Sequence, residues 1–179
     1  DRIGWRDLAA KLAVHRVPRR GFVFYVGSIT LFLFAVQIVT GVLLVLYYQP
    51  DPETAYASVQ RITGGEIPYG HLVRNVHLWS SDLFIVSVMV HLFTILARRS
   101  FRPPHELSWI SGLISLVLGV GLAFTGAVLP WSEGAYANAL VGSGLARNVP
   151  IVGESLMRFM RGGQDVGAGT LGHAFGFHV

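Results

Sequence analysis

Apolar residues in this chain come in long unbroken runs rather than in alternation. Three stretches, about 22–48, 73–97 and 108–131, are almost free of charge. As helices, each is long enough to cross a hydrocarbon core about 30 Å thick. A fourth run starts near 168 and is still apolar at Val179, so its helix is expected to continue beyond that point. Tyrosines and prolines in "YYQPDP" stop the first run, "ARRSFRPP" the second and "LPW" the third. The linker 51–70 is polar with room for a short surface helix, and 132–167 reads as one or two short helices lying at the interface. Residues 1–21 form an amphipathic segment with Trp5, Leu8, Leu12 and Val14 as its apolar side. The pattern predicts an all-α membrane protein: a transmembrane four-helix bundle, the fourth helix cut short, in one domain over 22–179.

Composition agrees with the pattern. Of 179 residues, 52 % are hydrophobic and 13 % charged, and the mean hydropathy is +0.52; soluble domains carry about 25 % charged residues. The absence of cysteine excludes disulfides, thiolate metal sites and thioether-linked haem. A net charge of +4 calls for no nucleic acid. Six Lys/Arg within residues 1–20, and Arg98, Arg99 and Arg102 after the second run, belong on the inner side by the positive-inside rule. The N-terminus is therefore expected on the cytoplasmic side of what reads as a bacterial plasma membrane.

Candidate chemistry lies in "VHLWSSDLFIVSVMVH", residues 76–91. Histidine is costly in hydrocarbon unless something satisfies it, and in-membrane ionisable groups usually face a cofactor or pathway. His77 and His91 are fourteen residues apart, about 21 Å along a helix and facing broadly the same way. His178, about ten residues into the fourth run, reaches a depth compatible with His77, so the pair is expected to hold one iron. His91 then needs a partner some fourteen residues past His178. Gly27 and Gly41, and Gly112 and Gly126, repeat the same spacing of fourteen. Helix packing alone is the plainer account of such glycines, as interhelical hydrogen bonding is of the histidines. The shared period instead suggests two stacked flat cofactors. Arg74, three residues before His77, is a natural counter-ion for a haem propionate. His15, His71 and His105 read as surface groups, and His173 as an interface residue.

These residues, with "GSITLFLFAVQIVTGVLLVLYYQP", "FRPPHELSWISG", "GLAFTGAVLPW" and "IVGESLMRFMRGGQDVGAGTLGHAFGFH", closely resemble the N-terminal haem-binding half of cytochrome b, particularly its b6 form. The resemblance implies two non-covalent b-type haems. His77 and His178 are then the ligands of the outer, low-potential haem, and His91 is a ligand of the inner one. It implies haem-packing roles for Gly27, Gly41, Gly112 and Gly126, and a propionate role for Arg74. Phe124 to Val141, including Ala127 and Tyr136, match the wall of a quinol-oxidising pocket. The implied function is the haem-carrying subunit of a quinol:cytochrome c or quinol:plastocyanin-type oxidoreductase. Its implied partners are the C-terminal half of cytochrome b (fused or separate), a Rieske iron–sulfur protein and a c-type cytochrome, in a dimeric complex.

Several positions depart from that family's pattern. Tyr25 stands where the b6 form has the cysteine that holds an extra haem. Thr94 replaces an arginine near the inner haem, leaving Arg98 or Arg99 for its propionates, and Ala127 replaces a pocket aromatic. Two other readings stay open: a dihaem cytochrome b anchor of a hydrogenase or formate dehydrogenase, and a helical scaffold whose histidines only hydrogen-bond. The first should lack the "LPW" end of the third helix, and the second would show no b-type band.

Overall fold

The computed structural model describes residues 25–99 and 106–179, apart from the side chain of Ser108. The amphipathic segment expected over 1–21, together with His15, Arg102 and His105, lies outside these residues. Within them every regular element is a helix: α1 Val26–Val45, α2 Ala55–Thr63, α3 Gly70–Ala97, α4 Glu106–Val128, α5 Glu133–Ala146, α6 Gly153–Arg161 and α7 Ala168–His178. Of these, α1, α3 and the Trp109–Val128 part of α4 are long and apolar enough to cross a membrane. Their large side chains face outward in the isolated chain: Leu31 is 69 % exposed, Phe32 67 % and Val117 66 %. That surface suits lipid or a neighbouring subunit, not water.

Three long helices and the shorter α7 form a ring. α1 lies along α3, α3 along α4 and α4 along α7. The rings of Tyr48, just past α1, and Phe175 in α7 close the circle with centroids 5.8 Å apart. Polar side chains pin the register where apolar packing alone would let helices slide. Gln37 donates to the His77 carbonyl at 2.8 Å and to Ser80 Oγ at 2.6 Å. Thr30 donates to Ser87 Oγ at 3.0 Å. The Tyr48 hydroxyl donates to the Leu129 carbonyl at 2.7 Å. Burial pushes this phenol up to about 12, so it remains a donor through the physiological range.

Hydropathy marks the second span from 73, yet α3 begins at Gly70, where the chain turns sharply through Tyr69 at φ 61°. The cause is α2: a Cβ at position 70 would collide with the Ile62 carbonyl, so only glycine lets the two helices meet there. After α4, Ser132 accepts from the Ala135 amide at 3.2 Å and starts α5. Gly162 ends α6 at φ 66°, a conformation that favours glycine. Arg161 then ties three elements together. Its Nε donates to Ser143 Oγ in α5 at 2.8 Å, its guanidinium to the Gln164 carbonyl at 3.0 Å, and its carbonyl accepts from Thr170 Oγ1 at 2.8 Å. This knot fixes the entry of α7, and hence the place of His178.

Candidate haem site

Inside the ring, at the end of the bundle nearest Tyr69, α3 presents His77 and α7 presents His178. Their ring centroids are 6.0 Å apart, with planes 72° apart. Two imidazoles bound to opposite sides of one metal ion, each through a bond of about 2 Å, hold their centroids roughly 6 Å apart. The separation therefore suits a metal between them. Among the described residues no cluster of three or more His, Asp or Glu side chains is placed to hold a metal ion. Two imidazoles suit a metal that brings its other donors with it, as iron in a porphyrin does.

Hydrogen bonds orient both rings for that role. Thr40 Oγ1 spends its single proton on the Val36 carbonyl at 2.6 Å and lies 2.8 Å from His77 Nδ1. It can only accept there, so Nδ1 carries the proton and Nε2 keeps its lone pair. His178 Nδ1 donates to the Leu122 carbonyl at 2.9 Å, with Thr125 Oγ1 at 3.3 Å. Both Nε2 atoms are thus left with a lone pair able to accept a metal.

Glycine provides the room. A Cβ at Gly126 would stand 2.6 Å from His178 Cε1, and one at Gly41 3.4 Å from His77 Cε1. Fourteen residues along α1, Gly27 faces His91, whose Cε1 lies 3.1 Å from the position of a Cβ there. Gly112 instead faces Leu92, 2.8 Å from the Cβ position. So three of the four glycines are set against imidazoles, and the fourth against the residue next to His91. Arg74 is half-buried on α3 and makes no hydrogen bond or ion pair with another described residue. His173, in contrast, is engaged: its Nδ1 donates to the Phe159 carbonyl at 2.6 Å.

The residues matched to a quinol pocket lie where α4 meets α5. Phe124 rests directly on Gly142, where any side chain would displace its ring. Tyr136 stands edge-on to Trp131 with centroids 6.3 Å apart. Ala127 is exposed, and Val141 is 61 % exposed. Thr40 and Thr125 were not singled out by sequence reasoning. The available signal was a hydroxyl residue immediately before each of the glycines that face the His77–His178 pair.

Fold and site together define a membrane-embedded helical bundle with two histidines from separate helices facing each other near one end. The chain matches the cytochrome b/b6/petB family over residues 15–179. It is 41 % identical over 178 residues to cytochrome b6 of Heliobacterium mobile, covering 98 % of this chain and 83 % of that protein. It is 42 % identical over 165 residues to the cytochrome bc complex cytochrome b subunit of Chlorobaculum thiosulfatiphilum, covering 91 % of this chain and 38 % of that one. In structure it is similar to a chain of a hyperthermophilic respiratory complex III, with a TM-score of 0.80 and 32 % identity, over 89 % of this chain and 43 % of the other. The chain belongs to the cytochrome b/b6 family. It is an integral membrane protein that binds b-type haem, a haem-carrying subunit of the quinol-oxidising bc-type class.

Proposed function

We propose that this chain carries two b-type haems at opposite sides of the membrane and takes part in quinol oxidation by a larger complex. The observation that carries the reading is the His77–His178 pair, spaced for one iron and hydrogen-bonded through Nδ1 so that both Nε2 lone pairs are left free. His91, facing Gly27 about 21 Å along α3, supplies one ligand of the second site. When bound, the haems supply one-electron transfer across the bilayer. The protein's own work is to ligate, to exclude water and to place charge. Gly27, Gly41, Gly112 and Gly126 keep side-chain bulk away from the cofactor edges, and the Arg74 guanidinium meets a propionate. Arg98 and Arg99 stand at the other end of α3.

Phe124, Ala127, Tyr136 and Val141 form one wall of a pocket for the quinol ring and tail. Aromatic and aliphatic lining with few polar groups suits that ligand class. The rest of the pocket, the C-terminal half of cytochrome b, a Rieske iron–sulfur protein and a c-type cytochrome complete a dimeric complex. With the N-terminus inside, His77 and His178 lie toward the outer surface and His91 toward the inner. The "LPW" end of α4, followed by α5 and α6, favours this reading over a hydrogenase or formate dehydrogenase anchor. The assembled complex is expected to show b-type absorbance that is reduced on adding quinol. A b band that ignores quinol but responds to hydrogen or formate would favour the anchor instead.

A further inference from the structure

The two ends of α3 treat their histidines differently. At the Tyr69 end, Thr40 is buried at 8 % exposure and accepts from His77 Nδ1, while its own proton is held by the Val36 carbonyl. Thr125 stands in the same relation to Gly126 and lies beside His178 Nδ1. At the other end, the residue before Gly27 is Val26, buried at 3 % exposure and without a hydroxyl. The nearest threonine, Thr30, is occupied by the Val26 carbonyl and Ser87 Oγ. A hydroxyl that draws on the Nδ1 proton makes the imidazole more basic at Nε2 and fixes its tautomer. More basic axial ligands favour ferric over ferrous iron, and so lower the midpoint potential.

We propose that Thr40, with Thr125 as its counterpart, is a positioning residue that locks the imidazoles of His77 and His178 as Nδ1–H tautomers and lowers the potential of the haem between them relative to the haem at His91. The proposal rests on the two-haem reading above. Under it, position 26 or 40, immediately before each α1 glycine, biases each site's potential: valine at one end, threonine at the other. Electrons then fall from the His77–His178 site toward His91 partly because of a single hydroxyl.

The test is a potentiometric titration of the b-type bands in the assembled complex, compared with Thr40→Val, Thr40→Ser and Val26→Thr variants. Thr40→Val is expected to shift the lower midpoint upward and leave the higher one in place. Thr40→Ser, which keeps the hydroxyl, restores the original value, and Val26→Thr moves the higher midpoint downward. A Thr40→Val complex with full haem content and an unmoved lower midpoint would overturn the proposal, as would Thr40→Ser behaving like valine. If Thr40→Val fails to hold haem, Thr125→Val decides the question. His178 keeps the Leu122 carbonyl in that variant, so a smaller upward shift supports the proposal and no shift overturns it. Absence of any b-type band in the unsubstituted complex would instead sink the haem reading itself.

Discussion

A complex carrying His178→Leu is expected to lose the b-type haem held between α3 and α7 while retaining the one ligated by His91. Leucine removes one of the two donors that this site offers, and the remaining imidazole of His77 cannot hold a six-coordinate iron alone. Disturbing only a partner behind a metal ligand typically costs about 10–100-fold in affinity; deleting the ligand itself should cost more. His77→Leu is expected to give the same loss from the other side. Both changes leave an apolar side chain on a helix that already tolerates them, so the bundle should still assemble. The check is the haem-to-protein ratio together with the midpoint that disappears: the lower one should go and the higher one stay. Loss of both would mean that the bundle itself depends on the first cofactor.

The second large effect concerns a single methyl group. Alanine at position 126 would put its Cβ 2.6 Å from His178 Cε1 and 3.2 Å from Nδ1, where carbon atoms prefer about 3.5–4.0 Å. The ring must retreat by about 1 Å, which draws Nδ1 away from the Leu122 carbonyl and misaims Nε2. Gly126→Ala is therefore expected to release most of the haem from this site, although alanine is by itself the better helix former by roughly 1 kcal/mol. Gly121→Ala on the same helix meets nothing within 4 Å and should leave haem content unchanged. Haem retention in both variants would show that the clearance at Gly126 is not what the site needs.

The fold was readable because lipid simplifies the problem: apolar runs of more than twenty residues have few alternatives to spanning helices. The candidate site was readable through one number, the spacing of fourteen shared by His77 and His91 and by two pairs of glycines. A helix converts that spacing directly into depth and facing. Other features depended on contacts between helices distant in sequence. Gln37 reaching the His77 carbonyl and Ser80, or Arg161 linking α5 to α7, leaves no periodic trace. The start of α3 at Gly70 is likewise set by the Ile62 carbonyl of α2 and not by hydropathy. Thr40 and Thr125 lie between these cases. Their positions before Gly41 and Gly126 are visible in the sequence, but only the paired hydrogen bonds give the threonines a reason to be there.

The central claim is that His77 and His178 grip one haem iron between α3 and α7. Its most direct test is the reduced-minus-oxidised optical spectrum of the purified complex, recorded beside a His77→Leu/His178→Leu double variant at equal protein. The account predicts a b-type band in the parent and a distinctly smaller one in the double variant, with the remainder assignable to the His91 site. A parent without a b-type band, or a double variant whose band is undiminished, would contradict it.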